Sequence, residues 1–457
     1  MKDSMPIAAV ALVVNTSRIQ PPITRTSQLA NTALQVRDFS QARENQHIKG
    51  IAAGSCPAKY VSLPAHGNND DIYRLKDVGH GNFHAVMEVL TAKIFRLTGL
   101  GCPVIELANG CNTLMRENAV DDPKSLFVAS RRDVSFVDLG VFLLSAGGER
   151  EIVGSRVDQK SNYALQKERH SAALSVQKNI EQQHGHWWAL TDPGIVADYQ
   201  AADTQRFSAL EALNSMLPAP LLREQEKHYL ASLFIGNWDH LNCFMENFGY
   251  AESNGGLVGK TVDFGASGPL GFQGKAKENS HQLAMMQRPA ALFSAPEMFR
   301  EEGRTFSLFG DAMPASLTGI AELPYGYQSK TSVLELIKAE TEGEGTLLET
   351  STDVRLSTAI EMAYRIHLIP EDVIESIIAS HWTEAPADFA VTREQIADIL
   401  KARKESIVSR IGQARLGKWE VQNQEKAAHA RSEIAEALGG LGFSERTINP
   451  LIRAEWP

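Results

Sequence analysis

Polar residues between Asn237 and Gly265 have the types and the spacing that metal-assisted transfer of a phosphoryl group needs. Asp239 and Asn242 lie in the stretch Asn-Trp-Asp-His-Leu-Asn, and Asp263 begins the tripeptide Asp-Phe-Gly. A carboxylate at a strand end, followed by a glycine that lets the chain turn, can present a metal ion toward a cleft, and an asparagine can add a neutral oxygen ligand. One hairpin between the two segments would bring Asp239 and Asp263 to the same mouth.

The same chemistry needs a phosphate cradle, a lysine for the phosphates and a glutamate that orients the lysine. Gly54-Ser55 precedes a predicted strand and is a candidate for the cradle. Lys76 ends the following strand pattern, and Glu88 lies on the next predicted helix. The candidates therefore follow one another along the chain in the order that an ATP site requires.

The elements that would position these residues begin with an α+β lobe. Apolar and polar residues alternate as they do in strands over Lys59–Leu63, Ile72–Lys76, Val104–Leu107 and Ser125–Ala129. Helical spacing of Val86, Leu90, Ile94 and Leu97 predicts a helix from residue 81 to 97, which Gly99 ends.

Farther along, helices dominate after residue 206, interrupted by two short strands. The strands are predicted at Cys243–Asn247 and Leu257–Val262, with turn residues at Ser253–Gly256 between them. Helical spacing is present at 223–234, 333–340, 358–367, 370–381, 393–411 and 423–438.

Composition and these patterns divide the chain into five parts. They are a flexible leader at 1–46, an N-lobe at 47–145, a helical insertion at 146–205, a catalytic segment of the C-lobe at 206–290 and a helical C-terminal region at 291–457. The prediction is an α+β fold of two lobes with a helical insertion and a helical C-terminal region.

Charge and composition exclude some classes of protein. The chain has a net charge of −10 and 43% hydrophobic residues, which is typical of a globular protein and unlike one that coats nucleic acid. No apolar run is long enough for a transmembrane helix. The four cysteines show no CxxC spacing and predict reduced thiols.

Together, Asn237–Asn242 and Asp263-Phe-Gly resemble the catalytic loop and metal-binding motif of the protein-kinase-like superfamily, in particular HipA-like toxin kinases and phosphoinositide kinases. The resemblance implies that Asp239 orients the acceptor and that Asn242 and Asp263 hold Mg²⁺. These families usually place the asparagine about five residues after the aspartate, whereas Asn242 follows Asp239 by three. Either the loop is shorter or Asn247 takes this role; Asn242 is preferred because it immediately precedes the predicted strand.

Upstream, Met87–Val104 resembles the helix and following strand of HipA-like kinases. The resemblance implies a kinase-like fold that binds ATP and Mg²⁺. Gly54 and Ser55 would cover the phosphates, Lys76 and Glu88 would position them, and Ser130 would lie at the start of the hinge near adenine.

The predicted function is an atypical kinase, with two alternatives left open. The same scaffold could carry out another nucleotide-dependent transfer, such as AMP transfer or glutamylation, or it could be a pseudokinase that serves as a binding module. Each motif also has a structural interpretation, since a lone Asp-Phe-Gly is more often a strand-to-turn junction and a strand-end lysine is usually solvated.

The leader and the C-terminal helices suggest a bacterial effector that is secreted into a host cell; otherwise the protein would be cytoplasmic. The expected partners are a host protein or lipid as substrate and a secretion chaperone at the N-terminus. No nucleic-acid partner is expected.

Overall fold

The computed structural model describes residues 36–45, 48, 57–64, 71–78, 82–116, 122, 124–154, 156, 158–185, 190–237, 245–253, 255–265, 267, 352–382 and 392–453. The predicted helix at 333–340 and the predicted leader up to residue 35 lie outside these ranges.

A six-stranded sheet forms the N-lobe, in the order β1-β5-β6-β4-β3-β2. Its strands are β1 Val36–Asp38, β2 Arg43–Glu44, β3 Ala58–Leu63, β4 Asp71–Lys76, β5 Ile105–Asn109 and β6 Phe127–Arg131. β1 pairs with β5 in parallel, and the other pairs are antiparallel.

Two strands of this sheet, β1 and β2, fall within the predicted leader, residues 1–46. β1 and β2 have three and two residues and are mostly polar, so they are too short to show the alternation of apolar and polar residues that predicts a strand. Phe39, between them, is 1% exposed and packs edge-to-face on Tyr73 of β4, with ring centroids 5.2 Å apart. The fold therefore starts earlier than residue 47.

The sheet has a core on each face. Tyr73 and Leu75 of β4 pack with Phe127 in a cluster on one face. On the other face, Val128 joins a larger core that includes helix α1, Asn82–Arg96. Because side chains alternate along a strand, Lys76 lies on the face of the sheet that α1 covers.

A second, three-stranded sheet has the order β7-β8-β9, with β7 Val137–Asp138, β8 Phe248–Ser253 and β9 Gly256–Thr261. The predicted hairpin is present, and Gly255 turns it with a φ of 81°. Its first strand starts at Phe248, so the prediction of a strand up to Asn247 is wrong for the described residues 245–247. Met245 has a φ of 57°, a left-handed conformation that no strand can pass through.

Helices connect and follow the two sheets. Those before β8 are α2 Asn112–Met115, α3 Leu139–Leu144, α4 Ala146–Val153, α5 Gln159–His184, α6 Pro193–Ser215 and α7 Ala219–Ile235. α5 and α6 pack along each other through a polar layer in which Gln177 donates to Asp203 at 2.9 Å and accepts from Arg206 at 2.6 Å. The hairpin begins within residues 146–205, which are predicted to be a helical insertion, and α6 continues beyond residue 205 to Ser215.

The described C-terminal region is helical, as predicted. It consists of α8 Thr352–Leu368, α9 Glu371–His381, α10 Arg393–Ile411, α11 Gln413–Gln422, α12 Gln424–Gly440 and α13 Glu445–Arg453. Thr392 and Gln395 form a capping box at the start of α10. These helices share the large core with α1 and α7. The prediction of a two-lobed α+β fold is confirmed, and none of the described helices is long and apolar enough to cross a membrane.

Two buried histidines, His170 of α5 and His381 of α9, should make the stability of the fold depend on pH. Burial lowers the pKa of His170 and His381 to about 4. The unfolded chain, with a histidine pKa of about 6.5, then binds protons that the folded chain does not, so stability is full above this pH and falls as the pH drops toward 4. We expect the free energy of unfolding to fall by about 2 kcal/mol per histidine between about pH 7 and about pH 5.

Denaturant unfolding at both pH values measures this change. His170→Gln should reduce the pH dependence, whereas His429→Gln, at a side chain 70% exposed, should leave it unchanged. Equal pH dependence in wild type and His170→Gln would contradict the assignment.

Candidate active site

Three predicted site residues meet between the two lobes. The Lys76 ammonium donates to Glu88 at 3.2 Å (Oε1) and 3.1 Å (Oε2), and to Asp263 at 3.1 Å (Oδ1) and 3.3 Å (Oδ2). Lys76 is 8% exposed and Glu88 is 3% exposed. One cation is thus shared by two carboxylates that are 12 and 187 residues distant in sequence. We call Lys76, Glu88 and Asp263 the lysine cluster.

Each residue of the lysine cluster is held by an element with little freedom to move. Lys76 is the last residue of β4, which is paired on both sides, with Ala58 and with Val128. Glu88 lies in the middle of α1, whose residues are buried on nearly every side. A buried charged pair is costly to separate, so the cluster ties the N-lobe sheet to its helix.

Asp263 is fixed by its own tripeptide. The Gly265 N–H donates to Asp263 Oδ1 at 2.9 Å, and the backbone of Gly265 lies directly against the lysine cluster. Phe264 is fully buried and packs on Phe95 of α1 with ring centroids 5.2 Å apart. The tripeptide is therefore docked on the same helix that carries Glu88.

The site keeps Asp263 ionised. Burial raises its pKa, but Lys76, Arg74 and the Gly265 N–H act in the opposite direction and hold the pKa below its usual range. A carboxylate in this state can accept hydrogen bonds or bind a cation at neutral pH.

Two asparagines border Asp263. Asn237 is buried and its amide donates to the Asp263 carbonyl at 3.0 Å. Asn247 is opposite Val262, whose N–H donates to its carbonyl at 3.0 Å. Because β8 begins at Phe248, the residue immediately before the strand is Asn247 and not Asn242, so the positional argument that favoured Asn242 applies to Asn247.

Sequence reasoning missed Glu246, next to Asn247. Burial, together with nearby Asp138, raises the pKa of Glu246 to about 7. Asp138 belongs to β7 and pairs with Gly249 of β8, which brings it to this end of the hairpin. Starting the strand at Phe248, from the apolar alternation of Phe248 and Tyr250, would have placed Glu246 at the cleft.

Of the other predicted site residues, the structure describes Ser130 alone. Ser130 lies on β6, two residues after the Val128 that pairs with Lys76, and so on the same face of the sheet. Gly54, Ser55, Asp239 and Asn242 lie outside the described residues, and their roles stay predictions.

The C-terminal helices hold α1 from the side away from the sheet. Phe83 packs edge-to-face on Trp382 with ring centroids 5.8 Å apart. Lys93 Nζ lies 2.6 Å from His381 Nε2, a nitrogen free to accept because Nδ1 is 2.9 Å from the Ile377 carbonyl. Contacts from His381, the last residue of α9, and from the following Trp382 thus reach both ends of the helix that carries Glu88.

Arg365 of α8 secures the turn that follows α1. Its guanidinium donates to the Thr98 carbonyl at 3.1 Å and pairs with Glu433 at 2.7 Å, and the side chain is 4% exposed. Arg365→Met should lower the free energy of unfolding by about 2 kcal/mol, because it removes a charged hydrogen bond and leaves the buried Thr98 carbonyl without this donor. Arg393→Met, at an exposed ion pair, should cost less than about 1 kcal/mol. Similar unfolding midpoints for the two variants would rule out this role for Arg365.

Comparison with known proteins adds a structural similarity. No protein-family model matches the chain, and no curated protein matches it in sequence. The chain is similar to the crystal structure of a Helicobacter pylori proinflammatory kinase, CtkA, with 13% identity over 85% of this chain and 99% of that chain. The TM-score of 0.41 is too low for the likeness to carry an assignment.

The arrangement within the chain itself is the stronger indication. A strand lysine pairs with a glutamate of the next helix, and an Asp-Phe-Gly follows a hairpin and faces that lysine. Protein kinases place their ATP-positioning residues in this way. The order and geometry of these parts fit a kinase-like fold.

Proposed function

We propose that the protein is an ATP-dependent phosphotransferase whose nucleotide binds in the cleft at the lysine cluster. The observation that carries the proposal is the Lys76 ammonium held between Glu88 and Asp263 at 3.1 Å from each. In phosphoryl transfer the catalysis is almost entirely positioning and charge stabilisation, so a fixed cation beside an ionised carboxylate is the essential part.

The donor set fits Mg²⁺ as the metal. Asp263 would offer a carboxylate, and Asn242, or Asn247 by its position just before β8, would add an amide oxygen. Both are hard ligands of the kind that Mg²⁺ prefers. The described residues contain no group of three His, Cys, Asp or Glu that could hold a metal by themselves. Mg²⁺ usually keeps several waters and binds through one or two protein ligands plus substrate phosphates, which suits this set. When bound, the ion would neutralise charge on the phosphates.

The protein groups would divide the remaining work. Lys76 would bind a phosphate oxygen, and Glu88 would keep the ammonium aimed at it. The acceptor oxygen forms a bond to the γ-phosphorus while the bond to the bridging oxygen breaks, and ADP leaves with that electron pair. Asp239 would accept the proton of the acceptor hydroxyl, as the resemblance to kinases implies.

Labelled ATP tests the proposal. The full chain, incubated with γ-labelled ATP and a cell lysate, should transfer label to protein or lipid, and Lys76→Met should abolish the transfer. Lys59→Met, at an exposed lysine of β3, is the matched control and should behave like wild type. Label transferred from α-labelled ATP would indicate AMP transfer instead. No label above background with either nucleotide would favour the pseudokinase alternative.

The acceptor substrate and the location of the protein in the cell are proposed from the sequence alone. We propose a host protein or lipid as acceptor, for a protein secreted by a bacterium into a host cell. The leader composition supports this proposal, and its residues up to 35 lie outside the described ranges. Fractionating the labelled lysate into protein and lipid before counting would separate the two acceptor classes.

A further inference from the structure

Arg74 is a second cation on the cleft face of the N-lobe sheet. It precedes Lys76 by two residues on β4, so both side chains lie on the same face. It pairs across the sheet with Ser130 on one side and Tyr60 on the other, and its side chain is half-buried.

Three other arginines that contact this sheet have carboxylate partners. Arg37 pairs with Glu106 at 3.2 Å, Arg116 with Asp77 at 2.6 Å and Arg131 with Asp71 at 2.6 Å. Within the part of the chain that the structure describes, the Arg74 side chain has no hydrogen bond and no ion pair within 4.0 Å. Its guanidinium is thus available to a ligand in a way that those three are not.

The charges around Arg74 explain why a ligand would need it. Its charge is within electrostatic range of Glu88, Asp263 and Glu246. Lys76 already shares its one positive charge between two carboxylates. A polyphosphate that enters this cleft would meet an excess of negative charge without a further cation.

We propose that Arg74 binds a phosphate group of the nucleotide, beside the phosphate that Lys76 holds; this inference depends on the proposed function. The planar guanidinium can give two parallel N–H donors to one phosphate, which a lysine cannot do. Arg74 would then supply both the charge that offsets the carboxylates and a fixed geometry for the polyphosphate. It is a binding residue for the donor nucleotide and takes no proton in the transfer.

Calorimetric titration of the full chain with ATP, ADP, AMP and adenosine tests the proposal. Arg74→Met should weaken ATP binding by about 10- to 100-fold, the loss expected for a charge-assisted hydrogen bond, with a smaller loss for AMP and none for adenosine. Arg74→Lys should recover part of the affinity. Arg131→Met, on the opposite face of the sheet and 54% exposed, is the control and should bind ATP like wild type.

Each other outcome counts against the proposal. Unchanged ATP affinity in Arg74→Met would show that Arg74 makes no contact with the nucleotide. An equal loss for adenosine and ATP would show that the guanidinium stacks on the base and not on a phosphate. If wild type binds none of the four compounds, the proposed function fails and this inference fails with it. If wild type and Arg74→Met bind ATP equally well, only the inference about Arg74 fails.

Discussion

Asp263→Asn is expected to lower phosphoryl transfer by about a thousandfold or more. The change keeps the size of the side chain but removes the negative charge that both Lys76 and the expected metal ion need. Charge stabilisation by a bound metal is worth several kcal/mol, and each 1.4 kcal/mol corresponds to about a factor of ten in rate. Initial rates with γ-labelled ATP, measured against the acceptor found in the lysate experiment, give the ratio.

The control for this variant is Asp398→Asn, at a side chain that is 71% exposed in a surface ion pair. It should keep the wild-type rate. Circular dichroism and unfolding midpoints should show that Asp263→Asn is folded, because the bonds from Lys76 to Glu88 remain. An Asp263→Asn rate within about tenfold of wild type would remove Asp263 from the predicted metal site.

Gly265→Ala has the second-largest expected effect, about a hundredfold loss of transfer with the fold retained. A β-carbon at Gly265 would lie 2.7 Å from Lys76 Nζ, 3.1 Å from Asp263 Oδ1 and 3.2 Å from Glu88 Oε2. The ammonium is the flexible end of its side chain, so it can move away without unfolding the protein. Moving it breaks the hydrogen bonds that hold the lysine cluster together, and misplacement by about 1 Å can cost about a hundredfold in rate.

Gly417→Ala is the matched control, because no atom lies within 4 Å of the β-carbon it would add. Gly417 is inside α11, where alanine should raise stability by up to about 1 kcal/mol. Full activity of Gly265→Ala would mean that the lysine cluster can shift without consequence for phosphoryl transfer, and the positioning role of the cluster would have to be abandoned.

The lysine cluster could be predicted because each residue stands in a strong local pattern. Lys76 closes an alternating strand, and Glu88 lies in the middle of a helix with regular apolar spacing. Local patterns place such residues on a face of a strand or helix. The short connection between β4 and α1 then keeps Lys76 and Glu88 close together. Asp263 could be added because the Gly265 after it marks a turn at the end of a strand.

Strand pairings and backbone conformations that leave no local pattern could not be predicted. β1 pairs with β5 across about 70 residues of sequence, and Phe39, which follows β1, is buried against Tyr73 of β4. The predicted strand lies too early, at Cys243–Asn247, because the apolar residues of this segment resemble those of a strand. The left-handed backbone at Met245, which ends this possibility, leaves no pattern in the sequence. Positive φ at a buried methionine is uncommon and is found most often where a site constrains the backbone.

The contacts between the C-terminal helices and α1 could not be predicted from the sequence either. Their spacing revealed them as helices, but nothing in their sequence showed that Trp382, His381 and Arg365 reach back to α1. Because α1 is packed between the sheet and these helices, the pairing of Lys76 with Glu88 depends on contacts made more than about 250 residues later in the chain. Such contacts depend on tertiary packing and carry no local signal.

The most direct test of the central claim is calorimetric titration of the wild-type chain with ATP, once with Mg²⁺ and once with a chelator. A nucleotide site at Lys76, Glu88 and Asp263 predicts saturable binding that weakens when Mg²⁺ is removed. In Asp263→Asn, the affinity for ATP should no longer respond to Mg²⁺. Absence of binding by the folded wild-type chain, or a response to Mg²⁺ that Asp263→Asn leaves intact, would contradict the assignment of this cleft as a metal-dependent ATP site.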